Sequence, residues 1–535
     1  MLWNDLMRDF ESPGRSEVLG VRGMAAASHP QATLAAFDVL KAGGNAVDAA
    51  ITAAAMLAVV EPTQTGIGGD CFILLKRPGQ PIVALEGAGW ACSGVGAATF
   101  AASGDAQIDP LSAHAVTVPG SIRTWALLAQ DHGTQPWATL LRPAIDAAAL
   151  GTPVAERLAR DWSRQTAKLQ QDADAAKVFL HPDGSAYRAG ELHRQPALAE
   201  ALAAIAADGA DVFYEGWIAE DIVMKLRRRG GLHTMEDFAD WRPRYVTPIS
   251  TSYRGYQLWE CPPSGQGIIA LGMAAMLERF ELSGYEPLST ERFHLQTEIA
   301  RLAYAERDHY LCDGEDPDAL VQHMLAAGKV DQRTARIRMD ARVADAAPMS
   351  GPAHRDTIYL TVVDRDGLAV SFINSIFDDF GSGLLAPRSG VLLHNRACGF
   401  VTDPTHPNAI AGRKRPMHTI IPAMLTRDGE AVLSFGVTGA HFQPLGQIQV
   451  LANIVDYGMG IQEALDHPRM FAHGDTLHLE RTVPAHVWDG LRSLSHHPEA
   501  APNPLGTGQA IWIDRTRPLL RGGADPRRDG IALGY

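Results

Sequence analysis

The sequence predicts an α+β protein, and three observations lead there. Ala-rich stretches with helical spacing recur over much of the chain up to residue 310. A hairpin of β-branched and aromatic residues starts abruptly at Thr357. Between 66 and 75 a glycine-rich turn runs into a strand rather than a helix. Over 535 residues, 46% hydrophobic and 20% charged, such elements can bury a large core.

Taken in order, residues 32–41 carry Leu34, Phe37 and Leu40 at helical spacing, and Gly43-Gly44 ends that run. Asn45 is placed to cap a second helix that reaches Val60 and stops at Glu61-Pro62. In the turn Gly66-Ile67-Gly68-Gly69-Asp70, a phosphate site would need a helix N-terminus behind it. A strand over 71–75 follows, so the turn reads as close backbone packing. Residues 121–241 are mostly helical in pattern. A strand is expected over 253–260, then the loop Pro262-Pro263-Ser264-Gly265-Gln266-Gly267, a helix from Ile268 and another over 290–310. Residues 326–352 are polar and Ala-rich and read as a mobile, exposed segment. Thr357-Ile358-Tyr359-Leu360-Thr361-Val362-Val363 then forms a strand. Asp364-Arg365-Asp366-Gly367 turns it, and 368–374 runs back. A hydrophobic hairpin directly after a mobile segment is the arrangement that a processing junction requires.

Composition narrows the function classes. A formal net charge of -14 with dispersed basic residues repels phosphate backbones and anionic headgroups, so neither nucleic acid nor membrane is an expected partner. The most apolar stretch, 46–60, contains Asp48 and is too short to span a bilayer. Cys71, Cys92, Cys261, Cys312 and Cys398 are odd in number and far apart, with no CxxC spacing. They read as free thiols, and no metal site or cofactor is expected. The first residues lack the features of a signal peptide, which makes cytoplasmic residence the expectation.

No GxSxG elbow, HExxH or P-loop supplies a nucleophile, and Thr357 by itself reads as a strand-starting threonine. Longer motifs change that reading. Gly23-Met24-Ala25-Ala26-Ala27-Ser28-His29-Pro30, Gly43-Gly44-Asn45-Ala46-Val47-Asp48, Val60-Glu61-Pro62, Gly66-Ile67-Gly68-Gly69 and Val118-Pro119-Gly120-Ser121 occur in order. They are followed by Tyr253-Arg254-Gly255-Tyr256, the Pro262–Gly267 loop, Ala303-Tyr304-Ala305-Glu306-Arg307-Asp308, Phe380-Gly381-Ser382-Gly383, Lys414-Arg415-Pro416 and Asp456-Tyr457-Gly458. In these the chain resembles the γ-glutamyltranspeptidase family of N-terminal-nucleophile hydrolases over nearly its whole length. The resemblance implies a four-layer αββα sandwich and a precursor that cuts itself between Asp356 and Thr357. The two products, 1–356 and 357–535, would stay associated as one intertwined domain, and processed units could pair into a dimer. It also implies that Thr357 is the nucleophile, that Ser375 hydrogen-bonds it, and that Gly439 and Ala440 supply the oxyanion N–H groups. Alanine keeps its N–H, and the hole survives there if the backbone avoids positive φ. A freed α-amine, with an ordinary pKa of about 7.7–8.0, can serve as the base for the threonine hydroxyl.

The glutamyl-binding positions of the family are changed. Its arginine falls on Leu85, its two serines on His418 and Thr419, its asparagine on Phe377, a further polar residue on Arg396 and its acid on Gly399. The segment from 400 to 414, where many transferases carry a lid loop, is short. Partners for an ammonium are lost and a guanidinium suited to a carboxylate is gained. Together with Asp356-Thr357-Ile358-Tyr359 and Asn395-Arg396, this pattern is similar to the oxamate amidohydrolase branch, whose members release ammonia from oxamate in purine (allantoin) breakdown. Three readings stay open: a hydrolase of a small anionic amide, a γ-glutamyl or glutaryl hydrolase or transferase, and an unprocessed scaffold. Asp378 and Asp379 leave an ammonium partner available to the second.

Overall fold

The computed structural model describes residues 14–101, 107–314, 316–344, 346, 347, 349 and 357–535. The strand Ile358–Val363 shows how its layers arise. Its residues alternate in direction, as a pleated strand requires. Ile358, Leu360 and Val362 pack into a core shared with helices, whereas Tyr359 and Val363 pack into a second core. Around this strand runs an antiparallel sheet in the order Ile531–Gly534, Met24–Ala27, Ile358–Val363, Ala369–Ser375, Asp70–Lys76, Ile82–Gly87, Arg244–Val246. A second antiparallel sheet has the order Val18–Gly20, Leu519–Ala524, Gly508–Asp514, Glu430–Val437, Ala423–Arg427, Tyr256–Glu260, Ile249–Tyr253.

The two sheets face each other across a core that includes Met24, Phe72, Tyr359, Ile373, Met424 and Ile511. Helices Pro30–Lys41 and Ala46–Val60 cover the outer face of the first sheet. Gly267–Leu277, Thr290–Tyr310 and Gln443–Val455 cover that of the second. The result is the four-layer αββα sandwich.

The local expectations explain the element ends. Asn45 Oδ1 accepts from the N–H groups of Val47 and Asp48, and Asp48 returns a bond to Asn45 N, which completes a capping box. Ile358 pairs with Asn374, and the turn between the strands is held by Asp364, whose Oδ1 accepts from Asp366 N and Leu368 N. Asp364 Oδ2 also accepts from Ala46 N at 3.0 Å, tying the hairpin turn to the start of the buried helix.

Two expectations need correction. The strand placed over 253–260 is a hairpin: Tyr253 closes Ile249–Tyr253, the chain turns at Arg254 (φ 50) and Gly255, and Tyr256–Glu260 runs back. The segment 326–352 is not mobile and exposed throughout. Ala327–Thr334 is helical, and Val330, Val343, Ala346 and Met349 are buried in the core beneath the second sheet. The pattern signal missed this because isolated apolar residues, spaced far apart, do the anchoring.

Candidate active site

Thr357 stands at the entry of the central strand, and the Ile358–Asn374 register places Ser375 beside it. Thr357 Oγ1 and Ser375 Oγ are 3.0 Å apart. Ser375 Oγ already accepts from Phe377 N at 2.8 Å and from Arg396 Nη2 at 3.3 Å. Either hydroxyl can be the donor in the contact between them. Thr357 N donates to Gln64 Oε1 at 3.2 Å. Gln64 Nε2 in turn reaches Asp379 Oδ1 at 3.2 Å. The glycine-rich turn makes this closeness possible: a Cβ on Gly69 would lie 2.3 Å from Ser375 O, and one on Gly68 2.2 Å from Leu392 O.

A charged wall adjoins the hydroxyls. Arg396 Nη1 donates to Thr419 Oγ1 at 2.8 Å, and its guanidinium lies 4.1 Å from the ring centre of Phe377. Phe377 adopts φ 77, a conformation that bulky residues rarely hold, and this turns its N–H onto Ser375. Behind Arg396 lies Asp70. Its Oδ1 accepts from Gly89 N and Gly120 N, both at 3.1 Å. Its Oδ2 is 3.1 Å from His418 Nε2, 3.6 Å from His394 Nδ1 and 4.0 Å from Arg396 Nε. Burial, reinforced at His418 by the nearby Arg396, pushes the pKa of both His394 and His418 down to about 3, so both rings are neutral. His418 therefore donates through Nε2–H to Asp70 and accepts from Ile420 N through Nδ1. Thr357, Ser375, Arg396, His418 and Thr419 are all 0% exposed.

The third wall is the turn between Glu430–Val437 and Gln443–Val455. Gly439 has φ 110 and Ala440 has φ 48. The N–H groups of Gly439 and Ala440 meet no acceptor among the described residues. Buried N–H groups are rarely left in this state, and such a pair is suited to an oxyanion. The condition set on the sequence, that Ala440 avoid positive φ, is not met. The alanine sits in the left-handed region, where a Cβ costs about 1–2 kcal/mol. This turn adjoins the charged wall, because Gln266 Nε2 donates both to Thr419 O at 2.9 Å and to Ala440 O at 2.8 Å.

Other predicted positions lie elsewhere. Leu85 pairs with Ile73 and Tyr245 and belongs to the core between the first sheet and its helices. Gly399 could carry no acid as it stands, since a Cβ there would lie 2.6 Å from Met417 O. Asp378 pairs with Asn395 Nδ2 at 2.9 Å, and Asp379 also accepts from Gln165 Nε2 at 3.0 Å. Asp356 lies outside the described residues. Sequence reasoning misses Gln64, Asp70, His394 and Gln266, although all but Gln64 stand in or beside a family motif. A neutral glutamine or a glycine-flanked aspartate carries no local mark of its role.

The chain is similar to known proteins over nearly its whole length. The gamma-glutamyltranspeptidase family model matches residues 32–535. An oxamate amidohydrolase proenzyme of Klebsiella pneumoniae is 32% identical, over 97% of this chain and 100% of that protein. The glutathione hydrolase-like YwrD proenzyme of Bacillus subtilis is 33% identical, over 97% and 99%. The crystal structure of a cephalosporin acylase from Bacillus halodurans superposes with a TM-score of 0.92 at 36% identity, covering 99% of each chain.

Proposed function

The chain belongs to the gamma-glutamyltranspeptidase family, and from that premise we propose that it is a self-cleaving amidohydrolase of a small anionic amide, with oxamate as the leading substrate. Its relatives are amidohydrolase and acylase proenzymes, which makes amide hydrolysis the shared activity. The observation that carries the finer reading is the position of Arg396. Its guanidinium touches Ser375, which touches Thr357. A carboxylate bound there lies next to the carbon that Thr357 attacks. Oxamate, an amide bonded directly to a carboxylate, has that spacing, whereas a γ-glutamyl group holds its carboxylate several bonds away.

In this reading the Asp356–Thr357 bond is cut and the new amine, beside Gln64, takes the proton of Thr357 Oγ1. The oxygen attacks the amide carbon. The N–H groups of Gly439 and Ala440 receive the oxyanion, and the protonated amine gives its proton to the departing ammonia. Water then hydrolyses the oxalyl ester to oxalate. Asp70 keeps Arg396 oriented, while neutral His418 and Thr419 line the carboxylate side and Phe377 limits the pocket. The large fragment (residues 1–356) and the small fragment (residues 357–535) would remain together, because strands from one pair with strands from the other in each sheet. Among the described residues, no helix is long and apolar enough to cross a membrane. Cytoplasmic residence is included in the same reading, supported by five cysteines without a disulfide.

A substrate comparison tests this. Matured protein should release ammonia from oxamate and act weakly on γ-glutamyl-p-nitroanilide. Turnover of the latter alone would replace the oxamate reading with a γ-glutamyl one. A denaturing gel should show two bands in place of the 57.5 kDa chain; a single full-length band after long incubation would remove self-cleavage.

A further inference from the structure

Two motifs from the sequence acquired no role in the chemistry above: the loop Pro262–Gly267 and the helical stretch from Ala303 to Asp308. In the structure both converge on the turn that carries the oxyanion N–H groups. The loop lies against the recognition segment through a parallel bridge between Gly265 and His418. His418 N donates to Ser264 O, and Gln266 N donates to His418 O, each at 2.9 Å. The Gln266 side chain, 0% exposed, then reaches both walls of the site, at Thr419 O and Ala440 O. Its Oε1 faces Arg307 Nη1 at 3.2 Å, and the same Nη1 lies 2.9 Å from His441 Nδ1. Tyr304 OH donates to His441 O at 2.6 Å. Ala440 and the residue after it are therefore gripped by Gln266, Arg307 and Tyr304.

The backbone explains why such a grip is needed. Ala440 at φ 48 prefers to relax to negative φ, and doing so would swing its N–H out of the direction it now takes. Holding the Ala440 carbonyl and both ends of His441 opposes that rotation.

We infer that Gln266 is a positioning residue for the oxyanion turn: it fixes the strained Ala440 and ties it to Thr419, so that the turn that stabilises the transition state is set in register with the turn that recognises the substrate. Arg307 and Tyr304 complete the brace. The inference rests on the oxyanion role proposed for Gly439 and Ala440.

The test measures kcat and KM with oxamate, or with γ-glutamyl-p-nitroanilide if wild type does not turn over oxamate. Gln266→Ala should lower kcat about 10–100-fold and leave KM within about threefold, since the loss falls on the transition state. Gln266→Met, which keeps the side-chain length and removes the donors, should behave alike and covers the case in which the alanine variant fails to fold. The decisive measurement is the double variant Gln266→Ala with Ala440→Gly. Glycine holds positive φ without a brace, so the pair should regain at least about tenfold in kcat over Gln266→Ala. Wild-type kcat in the Gln266 variants, or a loss that glycine does not relieve, overturns the positioning role while leaving Thr357 as nucleophile. A wild type inactive on both amides would instead remove the functional reading on which the inference stands.

Discussion

Two buried polar clusters in this molecule look alike by composition and differ in what they leave open. One is the site around Thr357. The other joins His294 and Glu298, a turn apart on Thr290–Tyr310, to His496. Both are nearly free of solvent, and both pair an arginine with a carboxylate and histidines. In each, a histidine is held neutral: burial pushes His496, like His418, down to about 3. The ligating atoms of the second cluster lie within 4.8 Å of one another, yet they are already committed. His294 Nδ1 is 2.7 Å from His496 Nε2, and His294 Nε2 is 2.7 Å from Arg338 O. Glu298 takes Arg301 on one oxygen and Val343 N on the other. That cluster closes on itself and ties down Arg338 O and Val343 N, whereas beside the first the N–H groups of Gly439 and Ala440 meet no acceptor among the described residues. Burial and a displaced pKa therefore mark both clusters, and the unmet N–H groups of Gly439 and Ala440 are what set the proposed reactive site apart from the clamp.

The largest expected effect comes from the proposed nucleophile. Thr357→Ala should abolish both self-cleavage and amide turnover, read on a denaturing gel and by ammonia release; residual turnover near wild type would place the chemistry elsewhere. Next is the guanidinium. Arg396→Leu should lower kcat/KM for oxamate about 10²–10³-fold, the scale of losing a buried partner for a carboxylate. An equal loss on a neutral amide would show that Arg396 shapes the fold and not the substrate.

The clamp should respond in the opposite way. His294→Ala strands Arg338 O and His496, and should reduce stability by about 1–3 kcal/mol in denaturant unfolding. Its kcat on matured protein should stay within about twofold of wild type; a tenfold fall would dissolve the distinction between the clusters.

Acid should expose what the clusters share. His394, His418 and His496 stay neutral in the fold down to about 3, while the unfolded chain takes up protons below its ordinary value of 6.5. More protons are bound unfolded across that window, so this contribution to stability is full above pH 6.5 and is lost progressively as pH falls toward 3. Glu61, raised by burial to about 7, acts oppositely between 4.5 and 7. Replacing His496 with Gln should flatten the acid slope of stability by up to about 1.4 kcal/mol per pH unit; an unchanged slope would mean that its ring protonates in the fold. The smallest effect belongs to the turn proposed to receive the oxyanion. Ala440→Gly relieves positive φ at some cost in chain entropy, for a net gain of about 0.5–1 kcal/mol in thermal or denaturant unfolding.

The sequence by itself determined the elements whose causes are local. The Asn45 cap, the close-packed turn at Gly68 and Gly69, the helix Thr290–Tyr310 and the hairpin after Thr357 all follow from short-range sterics and hydrogen bonding. The family resemblance also singled out Thr357, Ser375, Arg396, His418, Thr419, Gly439 and Ala440, and in the structure a chain of contacts runs from Thr357 through Ser375, Arg396 and Thr419 to Gln266 and Ala440. What only the tertiary structure decided were relations between distant segments. Gln64 comes to Thr357 across 293 positions, Asp70 to His418 across 348, and Gln266 to Ala440 across 174. No periodicity or turn signal encodes such pairings, because the donors and acceptors are ordinary amides, carboxylates and carbonyls until the packing of two sheets brings them within about 3 Å. The φ of Ala440 belongs to the same class. Alanine's own preference points the other way, and the hydrogen bond that reaches its carbonyl comes from Gln266 in a distant segment.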